Sequence, residues 1–366
     1  FVPKKQTFFH LTPKMGIISS LPLFIQRLFL VEISTYLPLI VILLTYIGIA
    51  IGEFPPFKSN RTTISLIGVG TLVLIGSIKL DGFWKFIDVD TIILLFSMMI
   101  INANLRLSGF FQLAAHNVIR ISKTPKMLLL TIVFLSSVLS AIFLNDTICI
   151  ILTPFIIDIT KALRRNSIPY LIALATAANI GSVATLTGNP QNMIIGISSK
   201  ISYLDFLLAL SPIAIISSIG VWGIVTLLYP KEFNSAPFDQ EIQKKIKIYK
   251  PLFIKSLIII FGLLVAFLIG IPIAKAAFIA ACLLLITRRL KPEKVFLEID
   301  WSILVFFATL FIITGVLNES GFIQNIFSEW NISQRLNLTN ITFSSVLLSN
   351  LVSNVPAVLL IKPIIS

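Results

Sequence analysis

The chain has 366 residues, of which 56% are hydrophobic and only 12% charged, and its net charge is +13. Soluble domains carry about 25% charged residues, so the composition excludes a soluble protein and predicts an all-α integral membrane protein. Only two cysteines are present, which excludes a disulfide-rich scaffold. We interpret the basic excess as a sign of membrane topology, with the lipid bilayer as the partner and no nucleic acid.

Apolar windows predict the membrane spans, since a crossing helix needs about 20 mostly apolar residues. Residues 1–34 precede the first window and are expected to be an interfacial segment. The windows, in chain order, are 35–53, 61–79, 90–108, 126–157, 169–198, 203–229, 252–269, 273–290, 300–318 and 340–366. Two of them, 126–157 and 340–366, carry polar residues in mid-run. Lipid tolerates such a break only where protein or a cavity surrounds it, so each is predicted to be a re-entrant hairpin.

The second half of the chain echoes the first at an offset of about 210 residues. The matching positions are Asp90 with Asp300, Ser108 with Ser320, and Asn145 with Asn354. They predict a first repeat over 35–229, with a hairpin at 126–165, a broken helix at 169–198 and a span at 203–229. They also predict an incomplete second repeat over 252–366. Five crossings in the first repeat would invert the second, and we expect a C-terminus truncated by roughly 70 residues.

The distribution of Lys and Arg predicts the orientation. If the spans alternate and the hairpins do not cross, 19 of the 29 Lys and Arg residues collect on one side, which is cytoplasmic by the positive-inside rule. The first hairpin then enters from the cytoplasm and the second from outside. Residues 230–251 are predicted to be a cytoplasmic linker, either an amphipathic helix or a solvated run of charges. A multi-pass protein of a bacterial inner membrane is expected.

Asp146 is the only carboxylate well inside an apolar window. A charge at mid-depth costs at least about 2.5 kcal/mol, so its presence indicates function. Asn145 and Thr147 flank it, and this group of hard oxygens suits Na⁺ or a proton. Alternatively, Asp146 caps the returning helix of the hairpin, a role compatible with the first.

A second polar centre runs from Asn179 to Asn192, with the sequence NIGSVATLTGNPQN. Gly181 and Gly188 permit a break, and Pro190 can begin a new half-helix. The freed N–H groups and the helix dipole favour anions. Uncharged donors suited to binding and release are Ser182, Thr185, Thr187, Asn189 and Asn192. The alternative is a kinked helix with small residues for close packing.

Two further side chains leave alternatives open. Cys149 could bind a soft metalloid or simply fill apolar space. Lys362 could pair with an anion or extend to the membrane interface. The chain has no GxxxxGK[ST], HExxH, GxSxG or CxxC pattern, so neither an enzyme nor a motor is predicted. Ion gradients are the expected source of energy.

The segments FLNDTICIILTP, ATAANIGSVATLTGNPQN and SNLVSNVPAVLLIKP occur in that order. With them the chain resembles the ion transporter superfamily, in particular its arsenite permease and citrate-transporter-like group, which is related to the divalent anion/sodium symporters. The resemblance implies an inverted-repeat secondary transporter, with a scaffold and an elevator-type transport domain that carries two hairpins and two broken helices. It also implies a homodimer.

In the symporters, each hairpin tip carries a Ser-Asn-Thr motif for sodium and the substrate carboxylate. The matching positions here read Asn145-Asp146-Thr147 and Ser353-Asn354-Val355. The Asp adds a negative charge and the Val removes a hydroxyl, which weakens the case for a dicarboxylate. A carboxylate at this position could instead carry a proton, as in sodium/proton antiporters and arsenite carriers of the same superfamily.

The prediction is an ion-coupled secondary transporter that moves a small anionic or metalloid solute by alternating access. It has no cofactor, and Na⁺ or H⁺ is the coupling ion. The predicted coupling-ion residues, with a possible Na⁺ site at the first three, are Asn145, Asp146, Thr147, Asn179, Gly181, Ser353 and Asn354. The predicted substrate residues are Ser182, Thr185, Thr187, Gly188, Asn189, Pro190 and Asn192. The alternatives are arsenite efflux, Na⁺/H⁺ antiport, a channel or a membrane-embedded enzyme.

Overall fold

The computed structural model describes residues 23–52, 59–234, 238, 248–286, 290–322 and 337–365. In these ranges the fold is built from helices. Those of the first part of the chain are α1 (Leu23–Ile51), α2 (Arg61–Leu74), α3 (Val89–Ser108), α4 (Phe110–Ile121), α5 (Pro125–Ile142), α6 (Asn145–Ala162), α7 (Ser167–Val183), α8 (Pro190–Ser199), α9 (Tyr203–Leu228) and α10 (Pro230–Phe233). Those of the second part are α11 (Lys250–Leu268), α12 (Ile273–Leu285), α13 (Pro292–Phe296), α14 (Trp301–Glu319), α15 (Leu338–Val352) and α16 (Asn354–Ile365).

Five helices of the described residues are long and apolar enough to cross a membrane, namely α3, α5, α9, α11 and α14. Shorter apolar stretches of helix, the first of them the second half of α1, cover Tyr36–Ile51, Arg61–Leu74, Ser167–Val183, Ile273–Leu285 and Leu338–Val352. The chain is therefore a helical multi-pass membrane protein, as its composition predicts.

Local sequence signals set the ends of the helices. The carboxylate of Asp88 accepts a hydrogen bond from the Thr91 amide at the start of α3, and Asp300 does the same for the Ile303 amide in α14. The helix α3 ends at Gly109, whose φ of 87° lies in the left-handed region that glycine adopts readily. Pro at the first helical position begins both α5 and α8.

The two best-buried spans form the centre of the molecule. The helix α3 packs against α11 and α12, and α14 packs against α2. In its most apolar window α3 is 72% buried, whereas α9 is 17% buried. The exposed side chains of α9 are mainly Leu and Ile, such as Leu208, Ile213 and Ile216. Such a surface suits contact with lipid.

Two pairs of helices form hairpins. Only Phe143 and Leu144 separate α5 from α6, and both helices pack against α7. Ser353 alone separates α15 from α16, with a φ of 80° that is unusual for a residue other than glycine. The helix α16 also packs against α8 and α14.

Two predicted boundary segments are only partly described. Residues 1–22 lie outside the described residues, and residues 23–34 belong to the same continuous helix, α1, as the apolar window that follows. The linker predicted at 230–251 begins with α10, and most of it, including residues 239–247, lies outside the described residues. Its predicted amphipathic helix stays a prediction.

Candidate functional site

The helix break predicted between Asn179 and Asn192 lies between α7 and α8, over residues 184–189. Glycine is required at two positions here, Gly181 in the last turn of α7 and Gly188 within the break. A Cβ atom on Gly181 would lie 2.1 Å from the carbonyl oxygen of Ser137, and one on Gly188 would lie 2.3 Å from that of Ser182. Such distances are far shorter than any van der Waals contact, so the two glycines allow the backbone to pack closely here.

The side-chain amides of Asn189 and Asn192 stabilise the non-helical backbone of this break. Asn189 is the N-cap of α8, and its Oδ1 atom accepts from the Asn192 amide at 2.8 Å. The Asn192 Nδ2 atom donates to the carbonyl oxygens of Ser182, at 3.1 Å, and Thr185, at 2.9 Å. These bonds satisfy carbonyls that an unbroken helix would use internally. Asn189 and Asn192 thus support the backbone as well as lining the site.

The tip of the first hairpin is hydrogen-bonded to this break. The Asn145 amide N–H donates to the Gly188 carbonyl oxygen at 3.1 Å, and its Nδ2 atom donates to Asn179 Oδ1 at 2.9 Å. The Thr185 hydroxyl donates to the carbonyl oxygen of Ala141, near the end of α5. Thr187 is buried in the same loop. The tip and the break therefore form one bonded polar unit.

Asp146 faces a cavity beside this unit. The N-cap of α6 is Leu144, so Asp146 lies in the first helical turn and is not the capping residue. An acidic residue in this turn interacts favourably with the helix dipole. Asp146 and Thr147 line a cavity of about 110 Å³, with Pro190 at the start of α8 also in its wall.

The other polar residues of this cavity come from α3 and from the segment leading into α14. They are Asn102, Arg106, Glu298 and Asp300. The guanidinium of Arg106 lies 2.6 Å from the Glu298 carboxylate. Three carboxylates and one guanidinium line this cavity, so its field favours a cation over an anion. Among the described residues, no group of three or more His, Cys, Asp or Glu could hold a metal ion, so a cation here would need neutral oxygen ligands as well.

A larger cavity of about 580 Å³ lies between α8 and the second hairpin. Its polar wall includes Asn189, Asn192, Asn354 and Lys362. The structure thus groups Asn354 with two of the predicted substrate residues, while Asp146 and Thr147 line the smaller cavity. Ser353 forms the turn that precedes Asn354. Lys362 gives this second cavity a positive charge.

Sequence reasoning missed several residues of the smaller cavity. Asn102, Arg106 and Glu298 are not among the predicted site residues, and Asp300 is predicted as the first residue of the apolar window 300–318 and not as a site residue. One signal was present in the sequence, because Asn102 and Asn104 interrupt the apolar window 90–108. No local pattern shows that Asp300, distant in the chain, lines the same cavity as Asp146.

Comparison with known proteins indicates one class of protein, the membrane transporters. Residues 21–366 match the family model for citrate transporters, CitMHS. The chain is 28% identical to the silicon efflux transporter LSI3 of Oryza sativa subsp. japonica, over 84% of this chain and 76% of that protein. It is 29% identical to a 46 kDa membrane protein of Mycobacterium leprae over the same shares. It is 36% identical to the putative transporter arsB of Dictyostelium discoideum, over 47% of this chain and 31% of that protein.

The apolar helices, the hydrogen bond between the hairpin tip and the helix break, and these relatives together define a multi-pass membrane transporter. The chain belongs to the citrate transporter family, CitMHS. The predicted ion transporter relationship is thereby confirmed, and the family consists of transporters rather than enzymes.

Proposed function

We propose that this protein is a secondary transporter that moves a small inorganic or organic anion by alternating access, coupled to Na⁺ or H⁺. One observation carries the proposal. The first hairpin tip is bonded to the helix break through Asn145, at Gly188 and Asn179, so that ion and solute would bind to a single polar unit. Non-helical backbone of this kind, buried within a membrane protein, is typical of carrier sites.

Two related halves are part of this proposal, and the packing supports them. The helix α3 packs on α12, while its counterpart α14 packs on α2. Asp88 caps α3 as Asp300 caps α14, and their spacing of 212 residues equals that of Ser108 and Ser320. Asp88 is therefore a better counterpart of Asp300 than the Asp90 chosen from the sequence. We propose that the halves are inverted repeats of a scaffold and a moving transport domain.

The charges of the two cavities support the pairing of a cation with an anion. Asp146, Glu298 and Asp300 line the smaller cavity, where Na⁺ or H⁺ would bind. Lys362 lines the larger cavity together with the amides of Asn189, Asn192 and Asn354, where an anion would find a positive charge and hydrogen-bond donors. Neighbouring residues line the two cavities, Pro190 the smaller one and Asn189 the larger one. Binding at one cavity could therefore affect the other.

A second candidate is efflux of an uncharged metalloid acid. Relatives named a silicon efflux transporter and a putative arsB transporter favour it. So do the carboxylates beside the hairpin tip, because negative charge close to a site disfavours an anion but not a neutral solute. In this case Asp146 would bind a proton, and efflux would depend on the pH gradient.

The test is transport into proteoliposomes of the purified protein. The solutes are citrate, phosphate, sulfate, arsenite and silicic acid, each with an imposed Na⁺ gradient, a pH gradient or neither. The leading proposal expects saturable uptake of an anion that accelerates with one of the two gradients. Gradient-dependent movement of arsenite or silicic acid alone would support the second candidate. Flux that does not saturate and ignores both gradients would indicate a channel and contradict both.

The proposed assembly is a homodimer in a bacterial inner membrane, following the resemblance to the symporters. The exposed Leu and Ile side chains of α9 provide an apolar face that would contact lipid or a second copy. Light scattering of the purified protein in detergent measures the molar mass and so tests the dimer. A monomeric mass across a dilution series would contradict it.

A further inference from the structure

Asn102 is a buried amide with an unused acceptor. Its side chain lies in the middle of the apolar helix α3 and is only 3% exposed. In the part of the chain that the structure describes, its Oδ1 atom has no hydrogen-bond partner. Its Nδ2 atom lies 3.5 Å from Thr147 Oγ1, the outer limit of a hydrogen bond. A buried polar atom without a partner is uncommon and calls for an explanation, of which a bound ion is one.

The unused oxygen belongs to a side chain in the wall of the negative cavity. Asn102 lines the same cavity of about 110 Å³ as Asp146 and Thr147, but it comes from α3 and not from the hairpin. Among the described residues that line the cavity, the one guanidinium, that of Arg106, is paired with Glu298, so no side-chain cation of the lining pairs with Asp146 or Asp300. Amide, hydroxyl and carboxylate oxygens are the ligands that hard cations prefer. A proton would bind one carboxylate and would need neither the amide nor the hydroxyl.

We propose that Asn102 supplies an oxygen ligand from α3 to a Na⁺ ion bound at the first hairpin tip with Asp146 and Thr147. The inference rests on the proposed function, and it selects Na⁺ as the ion and adds a ligand from outside the hairpin. The bound ion then bridges α3 and the hairpin. Because these are separate elements, Na⁺ occupancy would hold the tip against α3, and loss of Na⁺ would release it.

The test measures thermal unfolding of the purified protein against Na⁺ concentration, with choline replacing Na⁺ at constant ionic strength. Asn102→Leu removes both amide atoms at similar volume. Asn104→Leu is the matched control. Asn104 is buried on the same helix, and its Oδ1 atom also has no partner among the described residues, but it does not line the cavity. We expect the Na⁺ concentration for half-maximal stabilisation to rise about tenfold in the Asn102 variant and less than about twofold in the control.

Two further variants keep the outcome decisive. Asn102→Asp retains an oxygen ligand and adds a negative charge, so it is expected to bind Na⁺ more tightly than the wild type. An unchanged Na⁺ affinity of this variant would contradict the proposal even if the Leu variant does not fold. Asp146→Asn is expected to abolish the Na⁺ response.

If Asp146→Asn abolishes the Na⁺ response while both Asn102 variants respond like the wild type, the role of Asn102 is overturned and Na⁺ coupling stands. If the wild-type protein responds to pH but not to Na⁺, the Na⁺ site is overturned while proton coupling stands. If it responds to neither, ion coupling fails as well.

Discussion

The backbone amide of Asn145 donates a hydrogen bond to the carbonyl oxygen of Gly188, and the N–O distance is 3.1 Å. The first residue belongs to the tip of the first hairpin and the second to the break between α7 and α8. This bond joins two elements that membrane lipid alone would not stabilise, since each leaves backbone groups without helical partners. A backbone donor of one irregular segment is thus satisfied by a backbone acceptor of the other.

Gly188→Ala is expected to disrupt this contact. A Cβ atom there would lie 2.3 Å from the Ser182 carbonyl oxygen and 2.9 Å from that of Ser140, so the backbone would have to move. We expect the melting temperature to fall and transport to drop by at least about tenfold, since small displacements at a site have large effects. Gly262→Ala in α11 is the control, because nothing lies within 4 Å of its added Cβ. Equal behaviour of the two variants would contradict the close packing.

The side-chain bond between Asn145 and Asn179 should appear as a coupling energy. Its length is 2.9 Å, and a bond of this kind contributes about 1 kcal/mol. A double-mutant cycle with Asn145→Ala and Asn179→Ala measures it, using free energies of unfolding in mixed micelles. The double variant should lose less stability than the sum of the single variants. Strict additivity would show that the bond contributes nothing.

Much of this site follows a local pattern that the sequence already displays. Pro190 begins α8 and Asn189 caps it, and both residue types are favoured at those positions. The hairpin tip falls at Asn145 because three polar residues interrupt an apolar run. What could not be predicted depends on packing between distant segments. Asn102 of α3 lies beside Thr147 of α6, and Asp300 lines the same cavity as Asp146. Neither periodicity nor composition gives a signal for these two relationships.

The pairing of the two proposed repeats also needs the structure. Asp88 and Asp90 lie two positions apart, and either can be aligned with Asp300 in the sequence. The spacing of Ser108 and Ser320 favours Asp88, and the cap agrees with it, because the Asp88 carboxylate accepts from the Thr91 amide as that of Asp300 accepts from the Ile303 amide. The hydrogen bond of the cap is visible only in the structure, which thus adds independent support for Asp88.

Lys255 is expected to stabilise the second half of the chain. Its Nζ atom donates to the carbonyl oxygens of Leu284, at 3.2 Å, and Ile286, at 2.6 Å, at the end of α12. A cation at a helix C-terminus satisfies free carbonyls and interacts favourably with the dipole. Lys255→Met should cost about 1–3 kcal/mol, with transport per folded molecule retained. Calorimetry beside the exposed Lys275→Met control measures the difference, and equal melting temperatures would refute the cap.

The ion pair between Arg106 and Glu298 should control the charge of the small cavity more than it controls stability. The side chains are 50% and 26% exposed, so the pair contributes at most about 1 kcal/mol. Glu298→Arg would leave two guanidinium groups beside Asp146 and weaken cation binding. We expect the single reversal to lower ion-driven transport and the exchange Arg106→Glu with Glu298→Arg to restore much of it. Failure of the exchange to restore any transport would argue against an electrostatic role.

The most direct test of the central claim is solute uptake in proteoliposomes by the wild type and by Asp146→Asn, with Na⁺ and pH gradients imposed separately. Coupling through the hairpin tip predicts that one gradient accelerates wild-type uptake and that the Asn variant, although folded, no longer responds to it. A variant that responds as strongly as the wild type would contradict the assignment of the coupling ion to Asp146.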